Sequence, residues 1–155
     1  MFNHPRNITD EQAKKCAELG GVVGVGAFPP ILWDGKNLPN IDRFVDTIAY
    51  YADLIGIDHV GLGLDSNAHP GAYDRNNCRN MMKMMEGQKL ANPNVYLTAY
   101  DAGKVETSMF TEGIVSLANL PNITNHLLKR GFSKEDTKKV MGENFFRVFK
   151  ETWRK

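Results

Sequence analysis

The chain predicts an α/β fold built on a parallel sheet, and three observations carry this. Residues 21–27 (GVVGVGA) and 57–64 (IDHVGLGL) are short and apolar without alternation. That is the pattern of strands buried on both faces. A segment of helical periodicity separates them, and another precedes the first. Helix, strand, helix, strand with short connections implies right-handed βαβ units.

The elements follow in order. Thr9-Asp10-Glu11-Gln12 has the form of a capping box. Ala13, Ala17 and Leu19 supply a modest apolar face, and Gly20-Gly21 ends the helix. The glycines of the first strand imply close backbone approach. Residues 31–39 read as loop. Asn40 or Asp42 caps a second helix running to about Leu54, with Phe44, Val45, Ile48, Ala52 and Ile55 at helical spacing. Gly56 closes it before the second strand.

From Asp65 to Thr111 periodicity fails among Asn, Gly, Pro and Met clusters. Met81-Met82-Lys83-Met84-Met85 reads as a short helix whose methionines pack rather than bind. A stretch this long in a compact domain signals a lid or binding loop. Pro121-Asn122 opens the next helix, which runs through Leu127, Leu128 and Lys129-Arg130 to Gly131. Phe132 stands as staple before the Ser133 to Asp136 capping box. Val140 and Met141 face inward, Gly142-Glu143-Asn144 breaks or kinks the helix, and Phe145, Phe146, Val148 and Phe149 anchor the last one, with Trp153 near its end. The organisation is a single domain, 1–155: helix-strand-helix-strand over 1–66, a long loop or insert over 67–120, and C-terminal helices over 121–155.

Composition narrows function. The 155 residues are 42% apolar, enough for a packed core. Lys plus Arg number 19 against 18 acids, so no electrostatic case exists for nucleic acid or an anionic membrane. The Lys14-Lys15 and Lys138-Lys139 pairs read as solvated faces. The start, Met1 to Arg6, holds no apolar signal region. No stretch approaches the ~20 apolar residues that span a bilayer. Compartment is unknown from these features. Cys16 and Cys78 lie far apart and read as free thiols, with a single disulfide as the alternative.

In a parallel α/β sheet, ligands bind beyond the carboxyl ends of the strands. Asp65 directly follows the second strand. It is either a turn aspartate or a carboxylate at the mouth of the sheet. Asn67 and His69 share its loop, where a histidine beside Pro70 reads as a surface residue. Arg6 is either an exposed N-terminal arginine or a fork for a carboxylate. His4, His59 and His126 share no ligand spacing, and His59, inside the second strand, reads as packed and hydrogen-bonded. No Ser/His/Asp or Cys/His spacing is present.

Four segments together carry a resemblance: residues 4–12 (HPRNITDEQ), 20–25 (GGVVGV), 56–63 (GIDHVGLG), and 120–124 (LPNIT) with the later 142–145 (GENF). In order and spacing they resemble the C-terminal portion of the membrane (renal-type) dipeptidases, peptidase family M19. The resemblance implies part of a metal-dependent (β/α)8 TIM-type barrel, incomplete in this chain, since a whole barrel needs ~250 residues. It implies two zinc ions that activate the water attacking a dipeptide bond. It assigns substrate-carboxylate binding to Arg6, and to Asp65 a place near the substrate's amino group with a part in proton transfer. The family's metal ligands precede the His-Pro-Arg-Asn segment, so the resemblance implies that this chain holds none and is inactive alone. The family shows Ser-Asp-Phe-Asp-Gly where this chain has Leu64-Asp65-Ser66-Asn67-Ala68. Asp65 is retained, but the second aspartate and the glycine are not. The implied partners are a dipeptide and either the missing N-terminal part or a second copy. The alternative is a non-catalytic remnant, a small α/β domain that binds a ligand or partner.

Overall fold

A computed structural model describes residues 7–34, 37–65 and 111–153. The segment holding His69, Cys78 and the methionine cluster lies outside them, as do His4 and Arg6. Most of the expected insert, 67–110, therefore lies there too.

Helix α1 spans Asp10–Glu18. The Thr9 hydroxyl accepts from the Gln12 amide and the Gln12 side chain accepts from the Thr9 amide, a full capping box worth about 1 kcal/mol. Ala13 is buried, but Leu19 is 76% exposed, against expectation. Leu19 is the C-cap, where the chain leaves helical geometry, and Cys16 packs on the core in its place.

Strand β1 spans Val23–Gly26 and strand β2 spans Val60–Gly63. They pair in parallel, Val23 opposite Val60 and Gly26 opposite Gly63. β2 is shorter than the expected strand because Ile57–His59 forms a 3-10 turn. His59 therefore sits before the strand, not within it. Its Nδ1–H donates to the Gly21 carbonyl at 2.8 Å, so the ring is packed and bonded as expected. A four-residue helix, α2, covers Pro29–Leu32 and so takes up the first two residues of the expected loop, with proline pre-setting its first turn.

Helix α3, Ile41–Ile55, begins where Asn40 Oδ1 accepts from the Arg43 amide at 3.0 Å. Gly56, at φ 86°, ends it in a conformation that costs other residues strain. Its apolar stripe, Phe44, Val45 and Ile48, packs on the face carrying Val23, Val25 and Val60. Ile114, Ile123, Leu127 and Val140 complete that core.

A 3-10 turn, Leu117–Asn119, leads into α4, Leu120–Lys129, with Pro121 in its first turn. Two side-chain pairs fasten α4 to α3: His126 Nδ1 with Asp42 at 2.7 Å and Arg130 Nε with Asp46 at 2.8 Å. Helix α5 is Lys134–Lys138. Ser133 Oγ accepts from the Asp136 amide and donates to Asp136 Oδ2, so the aspartate meets the hydroxyl. Phe132, ahead of the cap, packs against the core.

A π-helical turn, Lys139–Glu143, distorts at Gly142 and leads into α6, Asn144–Thr152. The break or kink expected at Gly142 to Asn144 is there: Gly142 leaves helical geometry, and the chain kinks before α6. Phe146 is 68% exposed and Phe149 is also exposed, so they do not anchor α6 in the core as expected. Phe145 does the packing instead. Among the described residues, no helix is long and apolar enough to cross a membrane.

Candidate functional site

Strand alternation and the register gather Gly24, Gly26, Gly61 and Gly63 on one face of the β1–β2 pair. That face carries no side chain of its own. Phe145 from α6 covers its first half: a Cβ on Gly61 would lie 2.5 Å from Phe145 Cε2. The half nearer the carboxyl ends is closed over Gly26 by Ile31, whose Cδ1 would lie 2.4 Å from an added Cβ.

Asp65 stands two residues beyond β2, at the carboxyl end of the pair, and is exposed. Its φ is 54°, the left-handed region. Among the described residues it is the non-glycine residue with positive φ. Aspartate tolerates this conformation better than most residues, yet it remains strained, and such positions cluster at functional sites. At the same end of β1, buried Thr111 donates its hydroxyl to the Ala27 carbonyl. Nothing local in the sequence marks Thr111, whose partner lies 84 positions away.

Arg6 lies outside the described residues. Its neighbour Asn7 is tied down: Nδ2 donates to the Ile31 carbonyl at 3.1 Å. Ile31 follows the carboxyl end of β1, the end of the sheet at which Asp65 also lies.

The opposite end is held by α6 and the turn before it. Asn144 Nδ2 donates to the carbonyls of Ile57 (2.8 Å) and Val60 (2.7 Å). Arg147 donates to the carbonyls of Gly20 (3.0 Å) and Asp58 (3.1 Å). Lys139 pairs with Asp58 at 2.7 Å, so this lysine is a tertiary tether and not part of a solvated face. That bond holds the Asp58 carboxyl below the usual range and raises the Lys139 ammonium. Tyr50 links α3 to α1 by donating to Asp10, which, with burial, pushes its phenol up to about 12.

Among the described residues, no three of His, Cys, Asp and Glu stand close enough to hold a metal ion. These residues do not fit a zinc pair.

The profile described as membrane dipeptidase (peptidase family M19) matches residues 1–99 and 98–154. The chain belongs to peptidase family M19. Dipeptidase ataJ of Aspergillus terreus is 28% identical to this M19 chain over 95% of it and 27% of the fungal protein. Dipeptidase tcpJ of Claviceps purpurea is 22% identical over 97% of the chain and again 27% of its own length. The M19 chain thus spans about a quarter of these curated relatives. Among solved structures, an amidohydrolase from Pseudomonas aeruginosa superposes with TM-score 0.66 at 29% identity, covering 97% of this chain and 42% of that one. A second, dipeptidase AC, described as a metallopeptidase of family M19, superposes with TM-score 0.63 at 19% identity, over 96% of this chain and 33% of its own. At that identity it bears on the fold alone.

Proposed function

We propose that this chain is the C-terminal, substrate-binding part of a zinc-dependent M19 dipeptidase, an incomplete portion of a (β/α)8 barrel. In this reading Arg6 binds the carboxylate of a dipeptide and Asp65 meets its ammonium and assists proton transfer. The observation that carries it is Asp65 itself: a strained, exposed carboxylate directly beyond a parallel strand, in a chain matched by the family almost end to end. The tie between Asn7 and Ile31 supports a place for the neighbouring arginine at the same end of the sheet. A dipeptide is zwitterionic, so its site needs one cation and one anion. Arg6 offers a planar, always-charged fork, and Asp65 the opposite charge. The metal-binding residues belong, in this reading, to a part of the protein outside the described residues.

The test is a chimera in which this chain replaces the matching 42% of the Pseudomonas aeruginosa amidohydrolase. It should hydrolyse dipeptides. Leaving one partner of a charged pair unmatched costs ~2–5 kcal/mol, so Arg6→Ala should lower kcat/KM by about 30-fold or more. Arg6→Lys should recover part of that loss, and Asp65→Asn should lower kcat. Unchanged kinetics in these variants would refute the two roles. A folded chimera that hydrolyses nothing would favour a binding domain without chemistry.

A further inference from the structure

In the turn that leaves β1, three backbone carbonyls are each held by a side chain from elsewhere in the chain. Thr111 donates its hydroxyl to the Ala27 carbonyl. Asn7 Nδ2 donates to that of Ile31 at 3.1 Å, and Arg43 Nε to that of Leu32 at 3.1 Å. We propose that Asn7 is a positioning residue for the dipeptide site, fixing the backbone from which Arg6 reaches the substrate's carboxylate. The proposal rests on the reading above, in which Arg6 is that cation.

The platform to which Asn7 is tied is firm. Ile31 and Leu32 close a four-residue helix, and the last carbonyls of any helix lack a partner within it. Asn7 and Arg43 supply those partners from outside. Pro29, Leu32 and Trp33 are buried around the contact, and Arg43 issues from α3, whose apolar stripe packs on the sheet. Ile31 therefore has a set place after the carboxyl end of β1, the end at which Asp65 stands beyond β2.

On the other side of the tie is the residue before Asn7. A trans peptide is planar and spans about 3.8 Å between Cα atoms, so whatever holds one residue limits where its neighbour's side chain can start. The segment leading into α1 is pinned at two points. Thr9 is held locally by its capping box, and Asn7 by a bond to a residue 24 positions away. Ile8 between them is exposed, so apolar burial does little to hold the segment. The capping box alone would leave the residues before Thr9 to swing about their backbone dihedrals. The Asn7 bond removes that freedom. An arginine fork recognises a carboxylate by two parallel hydrogen bonds, and a long side chain on a loose base loses that geometry. An asparagine suits the task, because its amide donates without adding a charge beside Arg6.

The test is a double-mutant cycle in the chimera, read as KM and kcat for one dipeptide. Asn7→Ala should raise KM about fivefold or more and change kcat less than about twofold, the pattern of lost substrate binding. Asn7→Leu, similar in size but without a donor, should match it, and Asn7→Gln should recover part of the loss. With Arg6→Ala already in place, Asn7→Ala should add less than about twofold, because the fork it positions is gone. An asparagine that merely braces the fold would cost the same factor with or without Arg6, and that result overturns the proposal. So does an unchanged KM in Asn7→Ala where Arg6→Ala raises it. If Asn7→Ala does not fold, Asn7→Leu carries the same cycle. An inert chimera, or one in which Arg6→Ala has no effect, overturns the reading of Arg6 and this proposal with it, so the two failures are told apart.

Discussion

The side-chain amide of Asn144 sits 2.7 Å from the carbonyl oxygen of Val60 and 2.8 Å from that of Ile57. One buried donor thus satisfies two carbonyls where the 3-10 turn becomes β2. Removing it leaves both acceptors without that donor, at about 1–3 kcal/mol for a buried group. Asn144→Ala should lower the urea midpoint accordingly. Asn144→Asp should do no better at neutral pH, because a carboxylate cannot donate to a carbonyl. A midpoint unchanged in both variants would show that the contact contributes nothing.

Gly61 and Phe145 form a size-matched pair. An added Cβ at Gly61 would come 2.5 Å from the Phe145 ring. Gly61→Ala should destabilise by about 1–3 kcal/mol through overpacking. Phe145→Leu should relieve part of that loss, giving a coupling of at least 0.5 kcal/mol in a double-mutant cycle. Additive losses in denaturant unfolding would disprove the pairing.

The strain at Asp65 separates stability from function. Glycine adopts φ 54° freely, so Asp65→Gly should be neutral or stabilise by up to about 1 kcal/mol. Asp65→Ala keeps the strain without the local hydrogen bonding an aspartate can supply, and should be the less stable of the two. In the active chimera both should lose activity. A strongly destabilised Asp65→Gly would mean that the carboxylate is structural.

Tyr50 gives a signed pH prediction. Its phenol is raised from 10.0 to about 12 in the folded chain, chiefly by donating to Asp10. A raised folded-state pKa stabilises fully below the unfolded value and is lost as pH climbs through the folded one. Stability should therefore fall between about pH 10 and 12 more steeply than in Tyr50→Phe. Parallel urea-midpoint curves for the two proteins across that window would contradict the link between α1 and α3.

Metal analysis after dialysis of the chain alone should find no stoichiometric zinc. A zinc site needs at least three protein ligands, and the described residues bring no such group together. One tightly held zinc per chain would reveal a site built from residues outside the described ones.

Much of the architecture was legible from local chemistry. The Thr9 and Asn40 caps, the Gly56 stop and the Ser133 cap all form where the residue types imply. The two unalternating apolar segments are indeed parallel neighbours. Local reasoning went astray where an element's end changes geometry. His59 falls in a 3-10 turn, Leu19 turns outward as a C-cap, and Phe146 faces solvent in the helix that follows the kink at Gly142.

Of the candidate site, the sequence by itself placed Asp65 behind a buried strand, because strand polarity and βαβ handedness depend only on element order. It also carried the membership in family M19, because the matching motifs are linear. Tertiary structure alone decided the left-handed backbone of Asp65, the glycine face closed by Phe145 and Ile31, and the clamp of Asn144 on residues 87 and 84 positions away. It also turned Lys139 from a solvated charge into a tether for Asp58. The physical reason is range. Caps and periodicity act within a turn or two of the chain, whereas these contacts exist only once the sheet, α3 and the terminal helices have closed around one core.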